Sequence, residues 1–394
     1  MTKFNSVPKD TVTFAKSIFG EDFIPLHRPV FQGNERQYLI DCIDSNFVSS
    51  VGAKVTEFEE RVTEFTGSKY AIATVNGTAA LHVAIELTGV KPGDEVITQA
   101  LTFIATCNAI SYAGAKPIFI DVDLDTMGLS PDALKSFLEE NAEKRAGGTF
   151  NKTSGNRISA CVPMHTFGFP CRIAEIAEIC ANWDIALIED AAESLGSYVG
   201  SRHTGTFSSM ATLSFNGNKV ITTGGGGMII TDDIELARRA KHITTTAKVP
   251  HPYEFIHDEI GYNYRMPNLN AALGCAQMEY LEEFLVIKTQ LADQWNAFFN
   301  KRSVDFFKAT DGNKANHWLN AIILDSKKDR DKFLRVTNDN NVMTRPIWQL
   351  MSNLEMFKGC QTDGLQNSLW LEDRVVNIPS SVPNGALKKL KKKD

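Results

Sequence analysis

Between Leu187 and Thr231 the chain places two residue types whose chemistry suits one kind of cofactor. An apolar run, Ile185, Ala186, Leu187 and Ile188, delivers Glu189 and Asp190, followed by Ala191, Ala192 and Glu193. Lys219 comes later, between a polar turn and four consecutive glycines, Gly224 to Gly227. A carboxylate can hold a protonated pyridine nitrogen, and a lysine amine can hold an aldehyde. Together they point to pyridoxal phosphate. Singly they say less: Asp190 could be a metal ligand or a helix cap, and Lys219 a solvated surface lysine.

Other groups could complete such a site. In VNGTAALHVAIELTG, the residues Asn76, Gly77 and Thr78 open an amphipathic helix. The free amides and positive dipole end of a helix start can cradle a phosphate, or Asn76 can simply cap the helix. TTGGGGM does not match the dinucleotide pattern GxGxxG, because Ile229 stands where a glycine is needed and MIIT reads as a strand. The glycines either let the backbone pass close to a ligand or a second chain, or form a flexible hairpin turn. His165 in MHTFGFP is a ligand or a structural histidine at a strand end. Arg265 and Arg345 could bind phosphate or make salt bridges.

Positioning these groups requires a sheet. From about residue 70 to 240, apolar strands (70–74, 95–99, 117–121, 158–165, 184–190) alternate with helical stretches (78–88, 103–113, after Pro131, 172–182). That alternation predicts a mostly parallel sheet with helices on both faces, and Asp190 at the carboxyl end of a buried strand lies where such sheets bind ligands. ATLSF and GGMIIT add two strands, and 233–246 another helix. Residues 141–157 read as a polar surface loop. A long helical stretch spans about Asn270 to Asn300, and strands near 317–324 and 375–378 with a helix near 329–340 indicate a smaller α+β unit.

The chain has 394 residues, enough for a large domain and a smaller one. Its 43% hydrophobic and 22% charged content is that of a soluble globular protein. A formal net charge of -6 gives no reason to expect nucleic acid as a partner, and the basic tail LKKLKKKD reads as a frayed terminus. No apolar run is long enough to span a membrane, and MTKFNSVPKD lacks a signal-peptide core. Seven scattered cysteines without a CxxC pair suggest reduced thiols in the cytoplasm, with no metal site. Asn151-Lys152-Thr153 fits a glycosylation acceptor but has no secretory context.

The order of these segments resembles the DegT/DnrJ/StrS family of nucleotide-sugar aminotransferases. IPLHRP (24–29), NGTAAL, TFIATCNAI, PIFIDVD, EDAAES, SFNGNK, GYNYRMPNLNAALG, TRPIW and NIPSS (377–381) follow the family's order over nearly the whole sequence. The resemblance implies an α/β, aspartate aminotransferase-like type I fold. It would have a large mixed, mostly parallel sheet domain (1–265, with an N-terminal segment) and a smaller C-terminal α+β domain (266–394).

It also implies pyridoxal 5'-phosphate as cofactor, with pyridoxamine phosphate as its form between two half-reactions, and L-glutamate as amino donor. Lys219 would hold the aldehyde and Asp190 the pyridinium nitrogen, the two catalytic residues. Phe103 would stack on one ring face and Ala192 pack the other, while Gly77, Thr78 and Ser214 would bind the phosphate. Asn263 would reach that phosphate from a neighbouring subunit, making a homodimer with shared sites. Glu193 stands where many relatives have glutamine, near the cofactor's phenolic oxygen. His165, Arg265, Arg345 and Trp348 are the candidates for contacting substrate. FVSSVGAKVTEFE, NGNKVITTGGGGM and MTRPIWQLM resemble the branch that aminates C4 of UDP-linked 4-keto-6-deoxy-N-acetylhexosamines on the way to bacillosamine- and legionaminic-type surface sugars. Three alternatives stay open: amination at C3, sugar dehydration (where relatives replace the lysine with histidine) and a non-catalytic cofactor-binding sensor.

Overall fold

Short runs rich in Ile, Val and Ala build the main sheet. The computed structural model describes residues 6–20 and 22–390, apart from the side chain of residue 389. Its nine-stranded sheet runs Tyr70–Thr74, Gly227–Thr231, Met210–Ser214, Ala186–Asp190, Arg157–Val162, Glu95–Gln99 and Lys116–Ile120 along one path. Pairing is parallel from Met210–Ser214 through to Lys116–Ile120, whereas Gly227–Thr231 is antiparallel to both its neighbours. Glu95–Gln99 and Gly227–Thr231 are buried along their whole length, as expected of strands covered on both faces. Parallel neighbours need crossovers: the helix Ile104–Tyr112 links Glu95–Gln99 to Lys116–Ile120, and Ile173–Asn182 links Arg157–Val162 to Ala186–Asp190.

A second, antiparallel sheet of four strands has the order Asp305–Phe306, Asn320–Ile323, Val375–Ile378, Arg345–Pro346. The first helix, Val7–Phe19, joins this second core although it opens the chain: Val7, Ala15 and Phe19 pack with Trp295, Phe299, Ile322 and Phe333. The two units meet along the carboxyl edge of the large sheet.

Three sequence expectations change. Residues 141–157 are not a loop: Ala142–Arg145 and Gly148–Asn151 form a hairpin that pairs with Arg157–Val162 and extends the sheet. Thr149 and Asn151 alternate inward to full burial, a period-two pattern too short to stand out in a polar sequence. Asn151, buried and bonded to Glu95 (2.7 Å) and Gln361 (2.6 Å), is no glycan acceptor. The long helix is two, Asn268–Met278 and Leu281–Asn300, broken at Glu279–Tyr280. Of the basic tail, Ala386–Leu390 is helical with Leu387 buried, while residues 391–394, like residues 1–5, lie outside the described residues. All seven cysteines are free and six are buried; among the described residues no helix is long and apolar enough to cross a membrane.

Candidate active site

A cavity of about 630 Å³ opens between the two units. Its wall from the large unit includes Gly77, Thr78, Phe103, Asp190, Ala192, Glu193, Ser214 and Lys219, and its wall from the small unit includes Trp318, Arg345, Trp348 and Asn377. The sequence places these residues far apart; the sheet's strand ends bring them together.

The strand Ala186–Asp190 ends in two acids whose side chains serve different ends. Glu189 turns away from the cavity and accepts hydrogen bonds from Gly205 N (2.7 Å), Phe207 N (2.7 Å), Ser208 N and Oγ (both 3.0 Å) and His165 Nε2 (3.1 Å). Burial alone would raise this carboxyl, but the His165 contact and the backbone donors outweigh it and hold it below the usual range. Asp190, on the opposite face, accepts from Thr106 Oγ1 at 2.6 Å and Ala192 N at 3.2 Å and borders the cavity. Burial pushes its carboxyl above the usual range. A cationic N–H in the cavity would compensate that desolvation.

Lys219 and Glu193 meet in the cavity floor. Lys219 Nζ lies 3.4 Å from Glu193 Oε1 and 3.7 Å from the centre of the Trp318 ring. Glu193 Oε2 accepts from Phe167 N at 2.8 Å. Burial, only partly offset by Lys219 and the Phe167 amide, pushes the Glu193 carboxyl up to about 7.

The helix Gly77–Leu87 is capped by Asn76, whose side chain accepts from Ala79 N at 2.8 Å. The amides of Gly77 and Thr78 open the first turn, where no helical carbonyl is available to them. Close backbone approach explains two glycines here. A Cβ on Gly77 would come within 3.1 Å of Ser214 Cβ, and a Cβ on Gly227 within 2.4 Å of the Asn76 carbonyl oxygen. The glycine run therefore brings Gly227–Thr231 against the helix start, with Ser214 on the neighbouring strand. An anion at this helix end would meet amides, a hydroxyl and the positive dipole together.

Phe103, 47% exposed, precedes the helix Ile104–Tyr112 and lines the cavity, an apolar surface left for a planar partner. Donor and acceptor sets thus fit pyridoxal phosphate at each end: an acid for the ring nitrogen, a lysine for the aldehyde, and a helix start for the phosphate.

Three residues expected in the site lie elsewhere in this chain. His165 is fully buried beneath the sheet edge, bonded to Glu189 and accepting from Cys171 N at 3.2 Å. Arg265 is paired with Glu59 at 2.8 Å and bonded to the Ala73 carbonyl, which ties the segment before Asn268–Met278 to the helix Ala53–Thr66 and the strand Tyr70–Thr74. Asn263 is exposed, on an outer segment bridged to Thr245. Conversely, Phe167, Trp318 and Asn377 line the cavity without having stood out in the sequence. Phe167 has φ 57°, a left-handed conformation rare for an aromatic residue. The tryptophan in NHWLN was the one available signal.

Fold and cavity together define a pyridoxal phosphate-dependent α/β enzyme of the type I class. The sequence matches the DegT/DnrJ/EryC1/StrS aminotransferase family over residues 29–385, and the chain belongs to that family. It is 34% identical to GDP-perosamine synthase of Escherichia coli O157:H7 over 91% of this chain and 93% of the relative. Identity to GDP-perosamine synthase of Vibrio cholerae is 32%, over 91% and 94%. Among solved structures, PseC of Helicobacter pylori, an aminotransferase involved in the biosynthesis of pseudoaminic acid, shares the fold with a TM-score of 0.83 at 18% identity, covering 93% of this chain and 97% of that one.

Proposed function

We propose that this enzyme transfers an amino group from L-glutamate to the C4 ketone of a nucleotide-linked 4-keto-6-deoxy sugar, with UDP-2-acetamido-2,6-dideoxy-hexos-4-ulose as the substrate. The observation that carries the reaction class is the convergence of Lys219, Asp190 and the Gly77–Thr78 helix start on one cavity. When bound, pyridoxal phosphate supplies the aldehyde that accepts the amino group and a ring that takes up electron density.

The protein's own residues do the rest. Asp190 Oδ1 and Oδ2, fixed by Ala192 N and Thr106 Oγ1, keep the pyridine nitrogen protonated. The Gly77 and Thr78 amides with Ser214 Oγ hold the phosphate, and Phe103 and Ala192 confine the ring. Lys219 Nζ holds the aldehyde at rest and, once displaced by the donor, moves a proton from the donor's α-carbon. Arg345 and Trp348, on the opposite wall, face the sugar nucleotide. Asn263 of a second copy completes the phosphate site in a homodimer. His165 and Arg265, held in buried contacts, support the fold rather than the substrate.

A GDP-linked sugar is the second reading, favoured by the names of the relatives at 34% and 32% identity. Mass spectrometry of the product decides. With glutamate and the UDP-linked 4-ketone, the expected products are the 4-amino sugar and 2-oxoglutarate. Turnover of a GDP-linked 4-ketone alone moves the conclusion to the second reading. Turnover of a 3-ketone alone overturns the position of amination, and a yellow protein that aminates no sugar ketone overturns the function.

A further inference from the structure

The Lys219 amine is not loose in the cavity. Its Nζ is gripped from two sides, 3.7 Å above the centre of the Trp318 ring and 3.4 Å from Glu193 Oε1, with the side chain only 13% exposed. An ammonium between a carboxylate and an indole face is doubly attracted, and low solvent access strengthens both contacts.

Both jaws are braced. The Trp318 indole N–H donates to the Asn218 carbonyl at 2.6 Å, next to Lys219 itself, and Trp318 N donates to Asn316 Oδ1 at 2.8 Å. Asn316 Nδ2 in turn donates to the backbone carbonyls of Glu193 (2.8 Å) and Leu195 (2.9 Å). The buried amine of Lys288 reaches the Trp318 carbonyl at 3.3 Å and the Ser380 carbonyl at 2.6 Å. The turn also carries His317 at φ 52°, a strained backbone held by its surroundings. So much fixed geometry around one indole exceeds what packing an apolar side chain requires.

We propose that Trp318 and Glu193 form a holding site for the Lys219 amine whenever it is not bonded to the cofactor aldehyde. The proposal rests on the aminotransferase reading. The donor displaces Lys219 at the start of the first half-reaction, and Lys219 displaces the product amine at the end of the second, so between the two the amine must wait nearby and return to the same carbon. The holding site keeps Nζ within the cavity, ready for that return. Trp318 and Glu193 are positioning residues acting through Lys219. One jaw comes from each unit, so the small unit takes part in the lysine's work without touching the aldehyde.

The test uses the cofactor-free protein. Pyridoxal phosphate is added at saturation, and the rate at which the yellow lysine-bound form appears is followed; the Lys219 ammonium gives a proton to the Glu193 carboxylate 3.4 Å away, the neutral amine adds to the aldehyde carbon, and water leaves. Affinity for pyridoxamine phosphate, which has no aldehyde, is measured separately by calorimetry. Trp318→Leu and Glu193→Ala are expected to slow capture by fivefold or more, with pyridoxamine phosphate affinity within twofold of wild type. Trp318→Phe, which keeps an aromatic face, is expected to recover most of the rate. Capture at the wild-type rate in Trp318→Leu and Glu193→Ala overturns the holding site, as does a parallel loss of capture and pyridoxamine phosphate affinity, which would mark general damage. A wild-type protein that never turns yellow would instead overturn the function proposed above.

Discussion

At the scale of single residues, the two neighbouring acids show how environment divides labour. Glu189 and Asp190 are adjacent, yet the pleat sends one carboxylate to a cage of donors and the other to the cavity. The third acid, Glu193, carries a pH signature. Its folded value of about 7 exceeds the roughly 4.3 of an exposed glutamate, so the folded chain retains a proton there that the unfolded chain releases. Stability from that proton is full below about pH 4 and is lost as pH rises through about 7. Glu193→Gln removes the dependence. In urea unfolding of the cofactor-free protein, the variant should match wild type near pH 4.5 and exceed it at pH 8 by about 3 kcal/mol; equal stabilities at both pH values would contradict the assignment. Lys219→Ala should abolish the yellow colour on cofactor addition, and activity with it.

At the scale of elements, the site depends on how closely a strand can approach a helix start. Gly227–Thr231 pairs with Tyr70–Thr74 and Met210–Ser214, and the chain leaving Tyr70–Thr74 turns immediately into the helix Gly77–Leu87. Any side chain at position 227 would push on the Asn76 carbonyl and on Gly77 N, which a Cβ would approach to 2.7 Å. Gly227→Ala should therefore displace the phosphate end of the site. Losing one or two contacts there costs about 1.4 kcal/mol or more, a tenfold or greater rise in Kd for pyridoxamine phosphate. Calorimetry on a folded variant tests this, and an unchanged Kd would mean that the strand yields rather than the helix.

At the scale of the whole molecule, the outer segment around residue 255 leaves Tyr253, Phe255 and Ile260 each more than 80% exposed. Such open aromatic and aliphatic surface is what a partner subunit covers, and Asn263 follows directly after it. If the second copy lends Asn263 to the neighbour's phosphate site, subunits of Lys219→Ala and Asn263→Ala should complement each other. Each mixed dimer would contain one intact site, and activity should recover on mixing two preparations that are nearly inactive alone. No recovery, in mixtures shown by mass to contain heterodimers, would place Asn263 outside the site.

Residue order and chemistry were enough to read the strand that bears Asp190, the lysine after the polar turn, the helix start at Gly77 and the alternation that makes a parallel sheet. These are local properties: apolar runs, a capping asparagine and turn residues act over a few positions of chain. Whether the glycine run was a loop or a spacer was open, and only the strand pairing across Asn76 decided it. The same holds for Arg265 and His165, whose partners Glu59 and Glu189 are distant in sequence or hidden by the pleat. Trp318 was illegible for the same reason: its value lies in facing Lys219 from another unit. A side chain's type is local, but its partner is chosen by packing, which no stretch of sequence carries alone.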